Sequence, residues 1–143
     1  SANLTPDRCA ECGVEFASRE ELFATSDIVT VHLVLSDRTR GLIGATEFQM
    51  MKASAYLVNT SRGPIVQESA LISALEGGVI AGAGLDVYDN EPLPQNHPLR
   101  GLDNAVLTGH TGYVMRENYM TGYRGVVEVI KAWLDGEPVR LLN

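Results

Sequence analysis

The sequence predicts an α/β fold built on a parallel sheet, and three observations predict it. Short apolar runs rich in β-branched residues alternate along the chain with segments whose apolar residues recur at helical spacing. Gly, Pro, Ser and Thr mark the boundaries between them. The chain has 143 residues, 45% of them apolar, which suits one domain with a real core.

The elements follow in order. Ser1-Ala-Asn-Leu reads as the end of a strand running into a helix, with Thr5 as N-cap and Pro6 at the first helical position. Ser18-Arg-Glu-Glu21 has capping-box spacing and predicts a short helix over about 20–25. Asp27 to Leu35 is a nearly uninterrupted aliphatic run, read as a strand covered on both faces. A brief helix over 46–51 precedes a second buried strand, 55–59. Residues 67–76 carry Leu71, Ala74 and Leu75 on one helical face, and Gly77-Gly78 stop that helix. A third strand is expected over 79–87, with Gly and Ala where something packs close, and a short fourth over 104–108. Tyr119, Tyr123, Val126, Val127, Ile130 and Trp133 then predict a long amphipathic helix over 115–134, ended by Asp135-Gly136. The Pro-rich stretch from Glu91 to Leu99 reads as an ordered loop at the carboxyl edge of the sheet.

Composition narrows the function. Eleven Lys and Arg against eighteen Asp and Glu leave a net charge of -7, which disfavours nucleic-acid and anionic-membrane partners. No apolar run approaches the roughly 20 residues of a membrane span, and no signal-like segment opens the chain. Cys9 and Cys12 form a lone CxxC. Without a second pair it reads as structural, with reduced thiols and a cytoplasmic setting, and no metal site is expected.

In an open parallel sheet, ligands bind beyond the carboxyl ends of the strands. Polar residues gather in those stretches: His32 near the end of strand one, Asn59 to Pro64 after strand two, Asp86 to Glu91 after strand three, and Thr108 to Gly112 after strand four. Taken singly, each has a plain reading: Arg62 as a surface cation, Asp86 as a turn cap, Glu91 as a solvated loop charge, His110 as a buried, hydrogen-bonded histidine. Taken together, an arginine, a carboxylate and a histidine on one edge can hold an anionic substrate and move a proton. Arg presents a planar fork to a carboxylate, and a carboxylate beside a histidine favours the imidazolium. Gly63, Gly84 and Gly112 would let backbone approach a flat ligand.

The stretch Met51-Lys-Ala-Ser-Ala-Tyr-Leu-Val-Asn-Thr-Ser-Arg-Gly-Pro-Ile-Val-Gln-Glu-Ser-Ala-Leu71 resembles a signature of the D-isomer specific 2-hydroxyacid dehydrogenases, the phosphoglycerate dehydrogenase-like family. Ser26-Asp-Ile-Val-Thr-Val-His-Leu33, Thr39-Arg-Gly-Leu-Ile43, Gly82-Ala-Gly-Leu-Asp-Val-Tyr88, Glu91-Pro-Leu, His97-Pro-Leu and Leu107-Thr-Gly-His-Thr-Gly112 agree with it in order, over practically the whole chain. The resemblance implies an oxidoreductase that moves hydride between NAD and a small 2-hydroxy or 2-keto acid, on a Rossmann-type doubly wound sheet. It places the catalytic arginine, glutamate and histidine on Arg62, Glu91 and His110. It places cofactor contacts on His32 and Leu33 by the adenosine half, on Thr60, Ser61, Arg62 and Asp86, and on His110 and Gly112 by the nicotinamide. A homodimer is the implied assembly. A dinucleotide-sensing regulator of the corepressor kind is the alternative, and a formate- or phosphite-type branch fits Glu91-Pro92 less well.

Four departures from the family pattern stand out. Val34 replaces a proline two residues after His32. Gln67 replaces a capping aspartate, and a weaker cap costs about 0.5–2 kcal/mol. Gly109 replaces the proline before His110, freeing the backbone there. The Gly-rich phosphate loop G-x-G-x-x-G, with its first strand, is missing from these 143 residues, as is the substrate domain. The expectation is therefore a partial Rossmann-type sheet, residues 1–143 being the later part of an NAD-binding domain and inactive alone. Ser1 carries no charge to repel a 2′-phosphate and no neighbouring arginine to receive one, so NAD and NADP both stay open.

Overall fold

A computed structural model describes residues 5–141. The expected strand ending at Ser1–Leu4 lies outside the described residues. Helix α1, Pro6–Glu11, starts as predicted: the Thr5 hydroxyl accepts from the Arg8 N–H, and Pro6 sits where no intrahelical donor is needed. Helix α2, Arg19–Thr25, opens on a complete capping box between Ser18 and Glu21. The hydrogen bonds from Ser18, its backbone N–H first, hold the Glu21 carboxyl below its ordinary value.

Strands β1 (Ile28–Val31), β2 (Tyr56–Asn59), β3 (Gly82–Leu85) and β4 (Ala105–Leu107) form a parallel sheet in that spatial order. The register pairs Val31 with Asn59, Asn59 with Leu85, and Leu85 with Leu107. All four carboxyl ends therefore face one edge. Helices α3 (Ala45–Met50) and α4 (Glu68–Glu76) fall between strands as expected. Phe23, Phe48, Leu71, Ala74 and Leu75 from the helices join Val29, Val31, Leu57, Ala83 and Leu85 from the strands in one core. Full burial of such a side chain contributes about 1.5–3 kcal/mol.

Three expectations are corrected. The first strand spans four residues, not nine, and it is covered on one face. Ile28 is 64% exposed and Tyr56 50%, whereas Val29, Val31 and Leu57 are buried. An apolar run marks residues able to be buried, and here only alternate residues of the first strand are. The third strand begins at Gly82 rather than Val79, because the 77–81 segment is occupied by the helix stop: the Val79 N–H returns to the Ala74 carbonyl. Gln67 stands at the N-cap of α4 without capping it; its side-chain amide donates to the Gly41 carbonyl instead (2.9 Å).

The described residues form two units, one up to Gly109 and the other from His110 onward. In the second, α5 (Arg116–Leu134) matches the predicted long helix and its Asp135-Gly136 stop. It buries none of its residues. Tyr119 and Tyr123 stack at 5.9 Å along it, and Arg140 pairs with Glu128 at 2.6 Å. No helix among the described residues is long and apolar enough to cross a membrane.

Candidate active site

The exit of β2 is over-determined by a buried amide. Asn59 is 1% exposed. Its Nδ2 donates to the Arg62 carbonyl (3.0 Å), and its Oδ1 accepts from the Ser61 N–H (3.1 Å). One side chain thus closes the turn over 60–62, the usual talent of Asn. Ser61 Oγ donates to the Leu33 carbonyl and ties this turn to the exit of β1. Arg62 is exposed, with its Nη1 donating to the Ser61 carbonyl (2.6 Å). The guanidinium has donors to spare beyond that one.

Gly63 follows, and its role differs from the expected one. A Cβ there would stand 2.1 Å from the Tyr88 carbonyl carbon and 2.3 Å from its oxygen. The close approach is between two loops of the protein, not between the backbone and a flat ligand. At Gly84 a Cβ would meet only the Val58 side chain, at 3.9 Å.

The exits of β3 and β4 are bound to each other. The Asp86 N–H donates to the Asn59 carbonyl (3.0 Å), and its buried carboxylate accepts from Thr108 Oγ1. The Thr108 N–H donates to the Leu85 carbonyl (2.9 Å). Tyr88, also buried, puts its single hydroxyl proton between the carbonyls of Leu85 (3.0 Å) and Thr108 (2.8 Å). Burial, then the nearby Asp86 carboxylate, push this phenol above its ordinary value. The Tyr88 N–H donates to Glu91 Oε1 (3.0 Å), which orients a carboxylate otherwise exposed on its loop. The loop is anchored further on, where His97 Nε2 meets Glu68 Oε1 (3.1 Å) and His97 Nδ1 accepts from the Leu99 N–H (3.3 Å).

His32, Leu33, Thr60, Ser61, Arg62, Asp86 and Glu91 all lie at or just beyond the carboxyl edge of the first unit. The Thr30 hydroxyl is hydrogen-bonded to His32 Nε2 (3.0 Å), and Leu33 is 43% exposed. His110 and Gly112 belong to the second unit, which begins directly after β4 and Gly109. His110 has φ +58, the left-handed region, and its ring stands T-shaped to that of Tyr113, with centroids 6.3 Å apart. Histidine is among the non-glycine residues that visit this region most often, and such backbone clusters at functional sites. Among the described residues no group of three or more His, Cys, Asp and Glu could hold a metal ion.

The sequence alone assigns no holding role to Asn59, Tyr88 and Thr108, which fix the turn before Gly63, the Glu91 carboxylate and the Asp86 carboxylate. Their signal was faint: a polar residue closing a strand, and a tyrosine where any buried aromatic would fill the core.

Comparison with known proteins points to one family. The family model described as "D-isomer specific 2-hydroxyacid dehydrogenase, NAD binding domain" matches residues 2–112. A glyoxylate reductase of Aeropyrum pernix is 45% identical over 134 residues, 93% of this chain and 40% of the relative. The structure of D-lactate dehydrogenase with NAD+ from Lactobacillus jensenii superposes with a TM-score of 0.85 at 26% identity, over 100% of this chain and 46% of that one. A D-isomer specific 2-hydroxyacid dehydrogenase from Xanthobacter autotrophicus Py2, in complex with NADPH and MES, gives 0.68 at 40% identity, over 85% and 49%. The chain thus spans less than half the length of each.

Proposed function

From a chain that belongs to the D-isomer specific 2-hydroxyacid dehydrogenase family, we propose that the whole protein reduces a small 2-keto acid, or oxidises the matching D-2-hydroxy acid, with Arg62, Glu91 and His110 as its catalytic residues. The observation that carries this reading is the exit of β2, where the Asn59 clasp holds the turn that presents Arg62 at the carboxyl edge.

Arg62 would pair with the substrate carboxylate through its planar fork, and its charge would draw electron density from the adjacent carbonyl. Glu91, already oriented by the Tyr88 N–H, would stabilise the imidazolium of His110. His110 would give its proton to the carbonyl oxygen during reduction and take it back from the hydroxyl during oxidation. NAD or NADP, when bound, supplies or accepts the hydride at the same carbon. The donor set suits a dinucleotide: Leu33 offers an exposed apolar wall, Thr60 an exposed hydroxyl, and Asp86 a carboxylate held by Thr108. His32, Ser61 and Gly112 complete the proposed cofactor contacts. A second copy of the chain is the proposed partner, on the resemblance alone.

The test is turnover of glyoxylate, hydroxypyruvate and pyruvate by the full-length protein with NADH and with NADPH. Oxidation of either cofactor that depends on one of these acids is the expected result. A protein that binds dinucleotide yet turns over none of them contradicts the reading. The isolated 143 residues are expected to show no turnover, and robust activity from them would overturn that part.

A further inference from the structure

Tyr88 takes part in two hydrogen-bonded arms that lead to different proposed catalytic residues. Its main-chain N–H donates to Glu91 Oε1 (3.0 Å), and its hydroxyl reaches the carbonyl of Thr108 (2.8 Å), two residues before His110. The residue is 6% exposed, so ring and hydroxyl are both held by packing. Gly63 lies against its carbonyl carbon so closely that no Cβ fits, which brings the Arg62 turn onto the same residue. One buried residue thus touches the segments that carry Arg62 and Glu91 through its main chain, and through its hydroxyl the strand end from which the chain runs to His110.

We propose that Tyr88 is a positioning residue, whose hydroxyl fixes the end of β4 against the end of β3 and so sets the chain leading to His110 in register with the loop carrying Glu91. The inference rests on the catalytic roles proposed above. The hydroxyl suits the task chemically. It is kept protonated by burial and by the Asp86 carboxylate, so it remains a donor at any working pH. It also has no route to substrate chemistry, since its proton is committed to two main-chain carbonyls. Thr108 supplies the counterpart grip, with its N–H on the Leu85 carbonyl and its hydroxyl on Asp86.

The experiment is Tyr88→Phe in the full-length protein. Phenylalanine keeps the buried ring and the N–H to Glu91, and the Leu85 carbonyl keeps its bond from the Thr108 N–H. The fold is therefore expected to survive. The kcat for keto-acid reduction is expected to fall about five- to tenfold, the equivalent of one well-placed hydrogen bond. The KM for the reduced cofactor should change by less than about twofold. A Tyr88→Phe protein with wild-type kcat, or one whose KM for the reduced cofactor rises as kcat falls, overturns the inference. So does one that fails to fold, since the hydroxyl would then be holding the core rather than the register. Absence of turnover in the wild type would instead count against the proposed function itself, so the two failures are distinguishable.

Discussion

The exits of β2 and β4 lead to the two residues on which the proposed chemistry most depends, and they are built in opposite ways. After β2 the chain is locked within three residues: Asn59 spends both ends of its amide on the turn, and Gly63 is wedged against the main chain at Tyr88. After β4 it passes through Gly109, where an added Cβ would meet nothing within 4 Å, and His110 then adopts φ +58. One side is rigid by local hydrogen bonds and contact. The other is gripped at Thr108 and then passes through a glycine beside which there is room for a side chain. A substrate-holding charge gains from the first design, whereas a proton donor that alternates between two states tolerates the second.

Substitutions can break or sharpen this contrast. The largest effects should be on rate. In the full-length protein His110→Ala is expected to lower kcat by about 10²–10⁴-fold, the ordinary worth of a positioned acid/base group. Arg62→Ala should act comparably on kcat/KM, and Arg62→Lys should recover only part of it, because a point charge replaces a planar fork. Steady-state kinetics decides both, and full activity in either alanine variant removes that residue from the catalytic set.

The next effect is on folding. Gly63→Ala forces a Cβ against main-chain atoms that cannot swing aside, so a loss of about 3 kcal/mol or more is expected in chemical denaturation. Gly109→Ala has open space and should stay within about 0.5 kcal/mol of the wild type. Equal stabilities for the two variants would contradict the contrast between the exits.

The smallest effect concerns Asp89, beside the wedge. Desolvation, and then the Glu68 carboxylate, raise its carboxyl above the ordinary 3.8. A raised acid favours its protonated form in the folded protein. Its contribution to stability is therefore full below the ordinary value and is lost as pH rises through the folded one. Asp89→Asn should raise Tm slightly at neutral pH, with the difference vanishing below about pH 3.8; thermal unfolding across pH reads this directly.

Local signals carried the helices well. Thr5, the Ser18 and Glu21 pair, Gly77 and Asp135-Gly136 each act through groups within four residues, so their chemistry is visible in the chain. Strand length and coverage were less legible. Ile28 and Val29 are neighbours in one aliphatic run, yet only Val29 faces the helices, and nothing in the run itself says how many layers a sheet will have. Helix α5 repeats the lesson, since its apolar spacing is evident while none of its residues is buried. At the candidate site the residues with chemistry stood out by type. The residues that hold them did not: Asn59 acts locally but looks like any polar residue closing a strand, whereas Gly63 packs on the distant Tyr88 main chain and the Tyr88 hydroxyl reaches Thr108, 20 positions on.

The account turns on Glu91 acting through His110 rather than on the substrate directly. The most direct measurement is a double-mutant cycle in the full-length protein, comparing the cost of Glu91→Gln in the wild type with its cost in His110→Ala. The account predicts a clear loss of kcat in the first background and a change of less than about twofold in the second. An equal loss in both backgrounds would contradict it.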